Sequence, residues 1–337
     1  MATALSFDIT TTLAEQRKVT PDLDRQLAEA SYNATITYFD RVTEELWILG
    51  VAPDMGPVSF VPGQYASLGL GFWEPRIDDA IEGDFDTCWY KLVRRSYSIS
   101  SPIFHRDAHL HGIPHGTDRA GRTDDLARCT DLDEIELYAV LVEPDADFVP
   151  GLTPRLALKG PGDRIFLGRK MAGRYTTAGV TDPSITMVFL STGTGEAPNN
   201  AMITELLRTG HTGQIVSVVT ARHWADFAYV DKHRALEARF ANYRYVTMPT
   251  REPGIPKRYL QEVVRADFTR ENLGVELDPT NTHVFLCGNP DMIGLPAKSA
   301  SEDDFPAATG VVELLSQRGF SLDLRKRSGN IHVEEYW

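Results

Sequence analysis

Four short stretches of the sequence carry residue types that could do chemistry together. The first is Arg95-Ser96-Tyr97-Ser98. On a strand, side chains alternate faces, so Arg95 and Tyr97 point one way and Ser96 and Ser98 the other. A guanidinium beside the start of a helix, such as one opening at Thr153-Pro154, makes a diphosphate site from forked donors and free N–H groups. The second is Ser191-Thr192-Gly193-Thr194-Gly195-Glu196-Ala197-Pro198. Its glycines let a backbone approach a pyrophosphate, and the lack of a following Lys-Ser/Thr pair separates it from a P-loop. The third, Cys287 to Gly294, sets a small polarizable thiol just after an apolar run. The fourth, His332-Val333-Glu334-Glu335-Tyr336-Trp337, closes on two aromatics with a carboxylate two residues before the first. Flat rings with a polar handle suit stacking on another flat ring. Each stretch also has a plainer alternative: a half-exposed strand, a tight turn, a buried structural cysteine, a strand pinned by its last side chains.

These residues need elements to hold them. Residues 34–39, 46–51, 60–70, 95–101 and 135–142 read as β-strands around polar turns. A short helix opens at Thr153-Pro154, with Thr153 as its cap, and 163–167 returns to strand. After Pro183 the texture changes. The continuous apolar run 185–190 suits a buried parallel strand. Strands at 215–220, 244–248 and 283–286 then alternate with helices at 200–208, 232–239, 257–265 and 310–317. Such alternation implies a parallel α/β sheet with right-handed crossovers. The boundary between the two textures falls near 175–184. Residues 1–30 read as a polar, partly helical lead-in. The stretch 103–131 reads as a solvated surface insertion. Its histidines (His105, His109, His111, His115) lack the thiol or carboxylate spacing of a metal site, so no metal is expected.

Composition narrows the function classes. A chain of 337 residues favours two domains. A net charge of -13 argues against general nucleic-acid binding, although Arg94-Arg95 and Arg325-Lys326-Arg327 are local basic runs. No apolar run nears the roughly 20 residues that span a bilayer, and 1–20 lacks the cationic and apolar blocks of a secretory signal. Cys88, Cys129 and Cys287 stand apart, which suits a reducing, cytoplasmic compartment and is too few for a four-thiolate iron–sulfur cluster.

Jointly and in this order, the four stretches resemble the ferredoxin–NADP reductase family, nearest its bacterial ferredoxin/flavodoxin–NADP reductase branch ending in Tyr-Trp. The resemblance runs from about Tyr32 to Trp337. It implies an antiparallel β-barrel FAD domain at 31–180 followed by a parallel α/β, Rossmann-like NADP-binding domain at 181–337. It implies FAD and NADP(H) as cofactors, with hydride passing between nicotinamide and flavin N5. Electrons would go to or from a separate ferredoxin or flavodoxin. The alternative on the same scaffold is an NADPH-dependent flavin or oxygenase reductase; a flavin-binding sensor without turnover is a third. By the same resemblance, Arg95 would meet the FAD pyrophosphate, Tyr97 the isoalloxazine and ribityl chain, and Ser98 flavin N5. Gly151, Leu152 and Thr153 would form the second phosphate segment. Thr192, Gly193, Thr194 and Gly195, with Cys287, Gly288 and Met292, would hold NADP and its nicotinamide. Arg222, Arg251 and Lys257 or Arg258 would meet the 2′-phosphate. Tyr336 would stack on the isoalloxazine and Trp337 reach the adenine. Ser98, Cys287, Glu334 and Tyr336 would be the catalytic set. The departures are Glu196, where the family commonly has an aliphatic residue, and Asn199-Asn200 after the proline.

Overall fold

The computed structural model describes residues 22–77, 88–105, 121–143, 149–296 and 309–336. Residues 1–21, His109, His111, His115 and Trp337 lie outside the described residues, so those expectations rest on sequence alone.

The first half forms a closed antiparallel barrel. Its strands are β1 (Ala34–Arg41), β2 (Leu46–Pro53), β3 (Tyr65–Gly71), β4 (Leu92–Ser100), β5 (Ile135–Val140) and β6 (Arg164–Leu167). Their order is β1-β2-β5-β4-β3-β6, with β6 closing back on β1. Trp47, Leu49, Leu68, Ile99 and Leu137 fill the centre. The strand expected at 60–70 begins only at Tyr65, because Val61 to Gln64 make a turn with Gly63 at φ +97°. Helix α1 (Leu23–Ser31) precedes the barrel, and α2 (Thr153–Leu156) links β5 to β6. Leu152, not Thr153, takes the cap position of α2; the Thr153 hydroxyl instead accepts the Val142 N–H at 3.1 Å.

The second half is a five-stranded parallel sheet of order β11-β10-β7-β8-β9. Its members are β7 (Thr186–Thr192), β8 (Ile215–Ala221), β9 (Tyr243–Pro249), β10 (Thr282–Gly288) and β11 (Ile331–Glu335). The main helices are α3 (Glu196–Arg208), α4 (Val230–Arg239), α5 (Leu260–Val263), α6 (Pro290–Ile293) and α7 (Val311–Ser316). Helix α5 is shorter than the 257–265 expected, its start closed by the Glu262 carboxylate on the Tyr259 N–H at 3.1 Å. Val188, Leu190, Val216, Val218 and Leu286 bury one face of the sheet under α5 and α7. The other face, through Phe189 and Phe285, shares a core with Ile48 and Tyr138 of the barrel. The two halves are therefore fused through apolar surface. Removing a large side chain such as these from water is worth roughly 1.5–3 kcal/mol each.

The insertion departs from the sequence expectation. Its described roots are not solvated: Ile103, Phe104 and Leu126 are buried in the shared core, and Ala127 is buried as well. Phe104 bridges to Leu126, and Arg239 of α4 spans the gap, stacked over Phe104 and paired with Asp125 at 2.7 Å. Apolar side chains at both ends, flanking a polar middle, are what the composition of the whole stretch conceals.

Candidate functional site

Strand β4 breaks the burial rhythm of a barrel strand. Arg94, Arg95 and Ser96 are all exposed and Tyr97 is half-buried, while Ser98, Ile99 and Ser100 are buried. Arg94 stacks over Phe166 at 4.1 Å, and Arg95 donates to the Arg94 carbonyl at 2.9 Å. Tyr97 leans on the barrel core, and burial raises its hydroxyl pKa. Beside this exposed run lies α2. A Cβ on Gly151 would sit 3.0 Å from Val93 and 3.2 Å from Phe72, so the segment 151–153 packs directly on β4, two residues from Arg95. Arg155 is buried beneath it, donating to the Gly151 carbonyl at 2.6 Å and the Phe72 carbonyl at 2.9 Å. An exposed strand face flanked by a cation and a helix start suits an anionic, flat-ringed ligand.

Ser98 and Ser100 face the other way, toward the α/β sheet. The Ser98 hydroxyl donates to Glu334 Oε2 at 2.7 Å, joining β4 to β11 across the two halves. In β11, His332, Glu334 and Tyr336 alternate onto one face, and register pairs Cys287 with Glu334. Ser98, Cys287, Glu334 and Tyr336 thus converge from three segments far apart in sequence. Desolvation pushes the Glu334 carboxyl up to about 7, against the opposing Ser98 hydrogen bond. Burial raises the Cys287 thiol well above its usual value, so it stays a neutral thiol. The enclosed Tyr336 hydroxyl lies near Ser98 and Cys287 without a well-aligned hydrogen bond.

The carboxyl edge of the sheet opens into a cleft of about 1000 Å³. Thr192, Gly193 and Thr194 form one wall, and Asn289, Asp291 and Met292 another. Two glycines make this possible. A Cβ on Gly195 would strike the Cys287 carbonyl at 2.4 Å, and one on Gly288 would strike Thr192 Oγ1 at 2.1 Å. The Asn289 N–H then donates to Thr192 Oγ1 at 2.8 Å, tying the two loops together.

Arg222, Arg251 and Lys257 line the same cleft, all exposed. The Arg251 N–H donates to the Arg222 carbonyl at 2.8 Å, holding the two arginines side by side. Arg222 pairs loosely with Glu45 of the barrel at 3.6 Å, an exposed contact that a ligand anion can displace. Arg258 does not line the cleft; its guanidinium turns to the Phe268 ring at 5.6 Å, and Lys257 takes the place beside Tyr259. Thr43 to Leu46, the turn before β2, complete the cleft from the barrel side. The polar turn that supplies them carries no signal in sequence that would distinguish it from any other hairpin.

Glu196 does not face the cleft. Its side chain turns inward, is buried, and accepts the Tyr245 hydroxyl at 2.7 Å with His233 Nε2 at 3.3 Å. The repulsion expected of a carboxylate beside a phosphate loop is thereby avoided.

Comparison with known proteins agrees with this arrangement. Residues 189–297 match the family model described as oxidoreductase NAD-binding domain. The chain is 28% identical over 185 residues to a flavodoxin/ferredoxin–NADP reductase of Shigella flexneri, covering 54% of this chain and 72% of that protein. It is 33% identical over 111 residues to ferredoxin–NADP reductase B of Sorangium cellulosum, covering 32% of this chain and 45% of that one. The fold is similar to a ferredoxin NADP+ reductase of Neisseria gonorrhoeae, solved with bound FAD and NADP, at a TM-score of 0.63 and 19% identity, covering 90% of this chain and 98% of that one. With barrel, sheet, carboxyl-edge cleft and closing strand in the same order, the chain is similar to the ferredoxin–NADP reductases.

Proposed function

We propose that this protein is an FAD-dependent oxidoreductase passing electrons between NADP(H) and a separate one-electron carrier, a ferredoxin or flavodoxin. The observation that carries it is the Ser98–Glu334 hydrogen bond. It joins the exposed barrel strand to the closing strand beside the nucleotide cleft, in a desolvated cluster with Cys287 and Tyr336. When bound, the flavin supplies the exchange between two-electron and one-electron steps.

The residues present fit that cofactor pair. The division is 31–180 for FAD and 181–337 for NADP(H). Arg95 and the 151–153 segment hold the FAD pyrophosphate, and Tyr97 lies against the ring system. Thr192 to Gly195 cradle the NADP pyrophosphate, and Arg222, Arg251 and Lys257 surround the 2′-phosphate. Several cations on one phosphate favour NADP(H) through charge-assisted hydrogen bonds. Met292 and Cys287 pack beside the nicotinamide. Glu334, its carboxyl pushed up to about 7, gains and loses its proton within the neutral range and shares Ser98 with the reacting edge of the cluster. The Tyr336 ring shields the cluster until nicotinamide replaces it, and its unpaired hydroxyl makes that departure inexpensive in hydrogen bonds. Trp337, outside the described residues, would by the resemblance alone meet the adenine of FAD.

Among the described residues no helix is long and apolar enough to cross a membrane. We place the protein in the cytoplasm on its isolated cysteines. The test is cytochrome c reduction with NADPH, with and without added ferredoxin or flavodoxin. Carrier-dependent reduction is expected. Equal rates without the carrier would reassign the acceptor to free flavin or an oxygenase. No NADPH oxidation with any acceptor would leave a binding module.

A further inference from the structure

We propose that Asn200 is a positioning residue for hydride transfer. Through Ser100 it fixes the placement of the barrel strand carrying Ser98 against the helix that begins at the nucleotide loop. The inference rests on the flavin and NADP(H) reading above.

Asn200 sits in the first half of α3, on the side packed against β4, where an apolar residue is the expected choice. A buried amide left without partners costs about 1–3 kcal/mol. Asn200 is buried and has its partners. Its Nδ2 donates to Ser100 Oγ at 3.1 Å, and its Oδ1 accepts from His233 Nε2 at 2.9 Å. An amide oxygen only accepts, so this contact puts the proton on Nε2. His233 Nδ1 is then the acceptor for the Tyr243 hydroxyl at 2.7 Å. On the far side, Ser100 lies against the Tyr229 hydroxyl, which donates to Glu136 Oε1 at 2.9 Å. The Tyr38 hydroxyl donates to Glu136 Oε2 at 2.9 Å, and Lys232 stands 3.9 Å away. The donors run one way from Tyr243 through His233 and Asn200 to Ser100, whose own hydroxyl donates to the Ser101 carbonyl at 3.4 Å, while His233 Nε2 also faces Glu196 Oε1 at 3.3 Å. Such a chain has one satisfied arrangement, and removing a link leaves buried groups unpaired.

The placement of this chain separates positioning from mere stability. Ser98 and Ser100 lie on the same face of β4, two residues or about 6.6 Å apart. Ser98 meets Glu334, whereas Ser100 meets Asn200. Asn200 in turn rides on the helix whose start is the Gly193–Gly195 turn of the cleft. Helix α4 makes a separate grip on the insertion, through Arg239 on Asp125, and Tyr229 just before it holds Glu136 of the barrel. Those grips hold the halves together, and the Asn200–Ser100 bond sets their register beside the reacting atoms. A misplacement of about 1 Å there costs on the order of 10²-fold in rate.

The experiment compares Asn200→Leu, Ser100→Ala, Ser100→Thr and the Asn200→Leu/Ser100→Ala pair, each as the FAD-loaded protein. Anaerobic stopped-flow mixing with NADPH gives the limiting rate of flavin reduction and the long-wavelength charge-transfer absorbance. Titration gives NADP+ affinity, and melting temperature reports folding. Asn200→Leu and Ser100→Ala should each slow flavin reduction by about 10-fold or more and weaken the charge-transfer band. NADP+ affinity should change by less than about 2-fold. The double variant should be no slower than the slower single, because one link is cut twice. Ser100→Thr, which keeps the hydroxyl, should recover most of the rate. Should Asn200→Leu fail to fold, the Ser100→Ala and Ser100→Thr contrast decides alone. Wild-type rate and charge-transfer absorbance in Ser100→Ala overturn the proposal, as does additivity in the double variant. Failure of the underlying reading looks different, since the wild type itself then shows no flavin absorbance or no bleaching by NADPH.

Discussion

The nucleotide cleft and the Ser98–Glu334 cluster share one sheet edge and are built in opposite ways. In the cleft, Arg222, Arg251 and Lys257 stand in solvent, and Arg222 pairs loosely with an exposed carboxylate 3.6 Å away. In the cluster, Ser98 and Cys287 are buried, and the Glu334 carboxyl is pushed up to about 7 by desolvation. Exposed charges recognise an anion without being altered by the fold, and salt screens them. Buried groups have their protonation set by the fold, as acid–base chemistry near neutral pH requires. The proposed function therefore assigns affinity and cofactor choice to the open region and rate to the closed one.

The largest expected effect tests the open side. Arg222→Ala with Arg251→Ala should raise the KM for NADPH by at least about 100-fold, since each charge-assisted contact is worth about 1.5–3 kcal/mol. The KM for NADH should hardly move. Equal losses for both cofactors would put the 2′-phosphate elsewhere, and high salt should narrow the wild-type preference.

The closed side has a pH signature. The folded chain binds the Glu334 proton more tightly than the unfolded chain does. The associated stability is complete below pH 4.5, the ordinary value, and is lost as pH rises to about 7. Glu334→Gln should remove that slope. The wild-type minus variant difference in urea unfolding should then fall by up to about 3 kcal/mol between pH 5 and pH 8. A flat difference would mean that Glu334 is solvated.

Tyr336 couples the two regions. In the proposed reading its ring would exclude every nicotinamide alike, and only NADPH would offset this with 2′-phosphate contacts in the cleft. Tyr336→Ser should tighten nicotinamide binding and improve the use of NADH relative to NADPH by about 10-fold, with kcat for NADPH falling alongside KM. An unchanged preference would make the terminal aromatic a strand anchor. The smallest effect is at Cys287, where the neutral thiol only shapes the wall. Cys287→Ala should lower kcat by several-fold, on the order of 1 kcal/mol, with little change in NADPH affinity. A kcat equal to wild type would leave it as packing.

Much of this was legible in the sequence. The two textures, the barrel strands and the alternating α/β half follow from periodicity, because each strand buries its side chains locally. The loop glycines were legible too, since backbone approach demands them. Contacts made across the halves were not. Glu196 read as a misfit because its partners, Tyr245 and His233, lie on later elements. Asn200 read as a departure because Ser100 is a hundred residues earlier. The insertion read as solvated because its few apolar roots are outnumbered by its polar middle. Arg258 and Lys257, adjacent in sequence, were separated only by Phe268, whose ring takes one guanidinium out of the cleft.

The most direct measurement is an absorbance spectrum of the purified protein, followed by anaerobic titration with NADPH. The account predicts a yellow protein with about one FAD per chain, as two nucleotide sites on one chain require. Its flavin band should bleach with NADPH and far less readily with NADH. A colourless protein that cannot be reconstituted with FAD, or a flavin band that NADPH leaves intact, would contradict it.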